Sequence, residues 1–305
     1  MSIPPATDWA ALHHAHGRAS DIPGHLAALA DADPVARRAA VSALTGSVYH
    51  QGTRWPASAH AVAPLVALVD TPTTPDRAVV LQVLHAVAIG DRGDEELPFD
   101  PERAFAEADR IGPSDEQAVL HVLFEQEEPD IEAVADVADA VAVRWAAAAY
   151  RAAEHHVGAF LRWLRDPDPA VAAHAAALLV RFPRVPGLAS SLADVPCGAH
   201  EARASAHLAL AYLPGPLGSP ELTALTDALT SADEAVRVTA AVALARRRGT
   251  ALPDEALTVL AHVHERDIAA SVPGWDRSLR GQVALAVYRL GLAHTPAAPS
   301  GRAAG

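Results

Sequence analysis

Apolar residues recur along this chain at the spacing of helices, not of strands. From Asp33 the positions at +4, +7, +10 and +11 are Arg37, Ala40, Ala43 and Leu44. From Asp233 the same offsets hold Arg237, Ala240, Ala243 and Leu244. Asp168, Ala172, Ala175 and Leu179 keep the spacing with alanine in place of arginine, and Asp276, Arg280, Val283, Ala286 and Val287 follow it again. The last positions of each set share one helical face. Each aspartate follows a short break, where its carboxylate accepts the N–H groups that a first turn leaves unpaired. Pro34 and Pro169 fall at the first helical position, where a missing N–H costs nothing. Arg at +4 is placed to pair with its own aspartate or with that of a neighbouring unit.

Another apolar segment precedes each of these helices: Leu26–Leu29 before Asp33, Val157–Leu164 before Asp168, and Leu222–Leu229 before Asp233. Less regular pairs fall at 57–89, 100–126, 130–153, 187–213 and 253–291. The pattern predicts about eight helical hairpins in one repeat array. No segment reads as a strand; the β-branched run Val79–Leu84 sits where a second helix belongs. Breaks fall at 91–100, 213–220 and 265–275. The division expected is an N-terminal segment 1–20, a repeat domain 21–291 and a disordered tail 292–305.

The recurring Asp-x-x-x-Arg-x-x-Ala-x-x-Ala-Leu signature resembles HEAT repeats. The resemblance covers roughly residues 21–291 and is clearest in four units. It implies an all-α fold, a right-handed α-solenoid of stacked hairpins. The stretch from Ser47 to Ala57 is similar to one found in bacterial HEAT-repeat proteins of unassigned function. In such arrays the second helices line the concave binding face, which here means those starting near Asp33, Asp76, Asp115, Asp139, Asp168, Glu201, Asp233 and Asp276.

Composition sharpens this picture. Half of the 305 residues are hydrophobic but only 5% are aromatic, as close helix packing on alanine requires. All 24 basic side chains are arginine, and the formal charge is −13. The arginine, alanine and proline usage reads as coding bias of a GC-rich bacterial genome. The acidity makes nucleic acid an unlikely partner and gives no reason to expect an anionic membrane surface. One cysteine, Cys197, excludes a disulfide framework and a thiolate metal site. With no signal-like N-terminus and no apolar run of membrane length, a cytoplasmic location is expected.

Regular recurrence marks Asp33, Arg37, Asp168, Asp233, Arg237, Asp276 and Arg280 as a structural ladder, since a catalytic site needs one set and a scaffold needs the set in every unit. Asp31 with Asp33, and Asp166 with Asp168, mimic a magnesium motif, but turn and cap duty explains both. His13, His14 and His16, and His262 with His264, are chelate-like but lack a second ligand pair at defined spacing. No metal and no cofactor is expected. The binding candidates centre on Tyr49, His50, Gln51, Arg54 and Trp55, with Gly52 free to adopt positive φ. His60, His85 and Trp145, with Gln82, are placed to share the groove. The structural alternative is that Tyr49 and Trp55 plug a gap between hairpins. Trp163 and Trp275 read mainly as core, and Arg246–Arg248 as the cationic end of a helix. No phosphate loop, nucleophile elbow or zincin motif occurs.

The function expected first is a non-catalytic scaffold that binds a protein or peptide partner in its groove. The alternative is a small-molecule binder or enzyme with a pocket near His50, Arg54 and Trp55, as the HEAT-like bilin lyases suggest. A third reading, similarity to HEAT-like DNA glycosylases, is disfavoured by the acidity.

Overall fold

A computed structural model describes residues 7–264 and 270–291. The chain is predominantly helical. The tail expected after 291, residues 265–269 of the expected insertion and the side chain of His264 lie outside the described residues.

Six hairpins of helices in contact can be followed. They are α1 (Ile22–Ala28) with α2 (Pro34–Ser47), α3 (Pro56–Asp70) with α4 (Arg77–Ile89), and α8 (Val157–Trp163) with α9 (Pro169–Leu179). The others are α10 (Leu188–Ala193) with α11 (His200–Tyr212), α12 (Ser219–Ala228) with α13 (Glu234–Arg248), and α14 (Asp254–His264) with α15 (Leu279–Arg289). The second helices pack in succession: α2 on α4, α4 on α9, α9 on α11, α11 on α13 and α13 on α15. Alanine makes this stacking close. Ala172, Ala175 and Ala176 of α9 and Ala202, Ala206 and Ala209 of α11 are all fully buried.

The caps follow the sequence logic in three of the four clear units. Asp33 accepts from Val35 N, Asp168 from Ala170 N and Val171 N, and Asp233 from Val236 N. The fourth differs. The cap of α15 is Ser278, whose Oγ accepts from Gly281 N at 3.2 Å. Asp276 stands two residues earlier, outside the helix. The ladder arginines also differ from one another. Both donate from Nη1 to two carbonyls of their own turn, Arg37 to Asp31 and Ala32 and Arg237 to Ser231 and Ala232, but Arg37 also reaches the next unit, donating from Nε to Asp76 at 2.8 Å.

Residues 100–153 do not supply two further hairpins in line. They form an excursion containing α5 (Pro101–Ala104), α6 (Pro113–Phe124) and the long α7 (Ala135–Glu154), and α7 packs back on α3 and α4. Trp145 of α7 is the reason: it is 4% exposed, stacks on Trp55 at 5.3 Å and donates from Nε1 to Glu116 at 2.8 Å. A second apolar cluster of Ile111, Val119, Val122, Val134 and Val141 gathers around it. α6 begins two residues before Asp115 and α11 one residue before Glu201, whereas Asp139 lies a full turn inside α7.

Two short antiparallel hairpins appear where no strand is expected. His13–His14 (β1) pairs with Gly17–Arg18 (β2), and Tyr49–His50 (β3) pairs with Thr53–Arg54 (β4). Two-residue strands carry no periodicity to read. The first hairpin packs on α3, and His13, His14 and Ala19 of this segment are buried. Among the described residues no helix is long and apolar enough to cross a membrane.

Candidate functional site

A cavity opens where α4 meets α9. Gln82 and His85 lie three residues apart on α4 and so share a face. The intervening Val83 and Leu84 point into the core. Across from them stand His174 on α9 and Arg181 just past its end. Gln82 Nε2 donates to His174 Nε2 at 2.9 Å. With its Nε2 accepting, the neutral His174 ring carries its proton on Nδ1.

Two loops wall this floor. Gly90 ends α4 with φ +86 and turns the chain into Asp91–Glu95. Arg181 Nη2 holds that loop by donating to the Arg92 and Gly93 carbonyls at 2.6 and 2.9 Å. The other wall is Gly274–Asp276. A Cβ on Gly274 would lie 2.6 Å from Ala177 Cβ and 3.1 Å from His174 Nδ1, and φ is +85. Only glycine lets this segment rest on α9. Trp275 anchors it, donating from Nε1 to Ser205 Oγ at 2.8 Å and stacking on Tyr212 at 5.7 Å. Asp94 joins the two walls: its Oδ2 accepts from Arg277 N and from Gln282 Nε2, both at 3.1 Å. The cleft so enclosed measures about 710 Å³. That is the size of site that takes a small organic molecule.

Its electrostatics are mixed. Burial, followed by the charges of Arg181 and His174, pushes His85 down to about 3. Burial also lowers His174. Both rings are therefore neutral at pH 7, each able to accept or donate one hydrogen bond. Burial, reinforced by the charge of Asp276, raises Asp94. Asp91, Glu95 and Asp276 are exposed at the rim. Arg181 is 3% exposed and its Nη1 has no hydrogen-bond partner.

The residues singled out in the sequence do not converge on one pocket. His85 and Gln82 line the cleft, and Trp275 and Asp276 join them. Tyr49, His50, Gln51 and Arg54 build the second hairpin, whose turn residues Gln51 and Gly52 have φ of 48 and 84. Two successive positive values are what a tight two-residue hairpin turn needs. Tyr49 is buried; burial and the nearby Asp91 carboxylate push its phenol up. Arg54 is 7% exposed and donates from Nη1 to Gly52 O at 3.0 Å. Trp55 leaves the hairpin for the second apolar cluster with Trp145, so both are packing residues. His60 is exposed and meets Trp9 edge-on at 6.4 Å. His50 meets His16 edge-on at 5.1 Å. The cleft between α4 and α9 is lined by none of His50, Arg54 and Trp55.

The N-terminal histidines are structural. His14 Nδ1 accepts from His16 N at 3.0 Å, so its Nε2 carries the proton it gives to Asp21. His16 Nε2 bonds Gly46 O at 2.8 Å, and His13 stacks on Phe124 at 5.1 Å. Among the described residues no group of three His, Cys, Asp or Glu side chains is arranged to hold a metal. Arg247 donates to the carbonyls of Leu210, Leu213 and Gly215, closing the end of α11, and Arg246 lies 3.7 Å over the Tyr212 ring.

Sequence reasoning missed Asp94, Arg92, Arg181 and His174. Three sit in a loop or beyond a helix end, where helical periodicity carries no signal. His174 stood at position +6 of the Asp168 unit, a polar ring in a run of alanines. No family model, curated protein or solved structure matches the chain.

Proposed function

We propose that this protein is a HEAT-like, right-handed α-solenoid that binds a small polar molecule in the cleft between α4 and α9, without catalysing a reaction on it. The succession of second helices from α2 to α15 supports the solenoid reading. The observation that carries the ligand reading is the convergence of Gln82, His85, His174 and Arg181 with two loops that glycines 90 and 274 bring close. Neutral imidazoles and a buried guanidinium present hydrogen-bond groups to an occupant, and the carboxylates stand at the rim. The test is a thermal-shift screen with polar metabolites on the wild type and on His174→Ala. A shift that the variant loses supports the reading; binding that the variant leaves unchanged refutes this location.

The scaffold for a protein or peptide partner is the second reading. Exposed Val35 and Val79, which sit in the first turns of the adjacent helices α2 and α4, favour it. The DNA reading loses support, because Trp145 and Trp163 are 4% and 3% exposed and both donate their indole N–H to carboxylates.

A further inference from the structure

We infer that the recess between the Gln51–Gly52 turn and α7, which adjoins the larger cleft at Arg92, is a second site for one small oxyanion, of phosphate chemistry. Arg54 and Arg92 line this recess together with Gly52, Thr53, Phe105 and Ala142. It measures about 150 Å³, room for one phosphoryl group and too little for a nucleotide or a peptide. None of the residues that line it is a carboxylate.

The hydrogen-bonding balance at this recess is one-sided. Arg54 is 7% exposed, and its Nε is buried without a partner. The Nε of Arg92 is likewise buried without a partner. The acceptors that do serve these side chains bind other nitrogens: Gly52 O takes Arg54 Nη1, and Glu96 takes Arg92 Nη1 at 2.7 Å. The Arg92 guanidinium lies over the rings of Phe99 and Phe105 at 5.3 and 5.8 Å. Two like charges are thus held side by side, and burial followed by the charge of Arg92 lowers the Arg54 pKa. Asp91 opposes this shift but does not line the recess. What the recess lacks is an acceptor with negative charge. A tetrahedral oxyanion supplies both, and the planar guanidinium is the side chain that matches it best. The recess shares Arg92 with the larger cleft, but Arg54 lines the recess alone of the two. The Arg54 guanidinium lies so close to Gly90 that a Cβ there would fall 1.9 Å from Nη1, which places it beneath the loop that walls the cleft.

The test uses the full chain in phosphate-free buffer. Inorganic phosphate is titrated by calorimetry and by thermal shift, with sodium chloride at matched ionic strength as control and glycerol 3-phosphate as a phosphomonoester. The expected result is saturable one-to-one binding and a rise in Tm that chloride does not reproduce. An equal response to the monoester assigns the site to a phosphoryl group carried by an organic molecule; a response to inorganic phosphate alone assigns it to the free ion. Arg92→Lys keeps the charge but removes Nε, and should weaken binding at least tenfold. Ala142→Glu adds a carboxylate to the recess and touches neither arginine. It should raise Tm in phosphate-free buffer and abolish the phosphate response. No saturable response beyond chloride, or a response that both variants leave unchanged, overturns the inference.

Discussion

Arg77 and Asp166 form a two-pronged ion pair, with Nη1–Oδ1 at 2.9 Å and Nη2–Oδ2 at 2.5 Å. Their side chains are only 10% and 9% exposed. The pair joins the first turn of α4 to the turn before α9, across the whole 90–154 segment. It fixes the register in which those helices stack, and that stacking creates the floor of the cleft. Removing one partner leaves the other charge buried and unpaired, so Arg77→Ala should lower stability by about 3 kcal/mol. Asp166→Asn should cost about as much, since it leaves the Arg77 guanidinium buried without its counter-charge. Replacing both with apolar residues of similar volume should recover most of the loss. Urea denaturation of the three variants measures this. Equal loss in single and double variants would show that the pair is not the fastening.

Gly90 makes a sharper prediction. Its φ is +86, and a Cβ there would collide with the Arg54 guanidinium. Gly90→Ala should therefore cost about 1 kcal/mol for the backbone alone, and more for displacing Arg54. Adding Arg54→Ala should remove the collision but keep the backbone term. The double variant should then be less destabilised than the two single effects added together. Unfolding midpoints of the four proteins give the coupling directly.

The central hairpins were legible because the features that mark them are local. An aspartate cap and a stripe of alanines, with a proline after the cap in α2 and α9, are contained within a dozen residues, and they located α2, α9 and α13. The excursion was not legible. Its helices have the same apolar periodicity as the array, and only the Trp55–Trp145 stack shows that α7 turns back onto α3. Asp276 misled for a related reason. It has the spacing of a cap, but Ser278 takes that role and leaves the carboxylate at the cleft. The cleft joins three separate stretches of chain, and nothing in the sequence says that Arg181 reaches the Arg92 carbonyl or that Gly274 rests on α9. The histidine excess has several separate causes: His14 and His16 tie the N-terminal hairpin, His207 sits in the core, and His85 and His174 floor the cleft.

Stability should fall with acid because of His207. The ring is 5% exposed, and burial, then the charge of Arg203, pushes it from the ordinary 6.5 down to about 3. Between those values the unfolded chain holds a proton that the folded chain lacks. Stability therefore rises with pH through that window and is lost as pH falls from 6.5 towards 3. At pH 5 this one histidine should account for a loss of about 2 kcal/mol. His207→Gln keeps an amide donor for Thr239 and Val236, whose oxygens lie 3.2 and 3.3 Å from Nδ1. The variant should show a flatter dependence of the urea midpoint between pH 7 and pH 5. An unchanged slope would exclude His207 as the cause.

The cleft itself is tested most directly by the imidazole resonances of the folded protein. Each histidine gives a ring carbon–proton signal that His85→Gln and His174→Gln assign by loss. Polar metabolites added in pools should move the signals of His85 and His174 together and saturably, while those of His60 and His207, outside the cleft, stay in place. A ligand that saturates by calorimetry yet leaves His85 and His174 unmoved would contradict a binding site between α4 and α9.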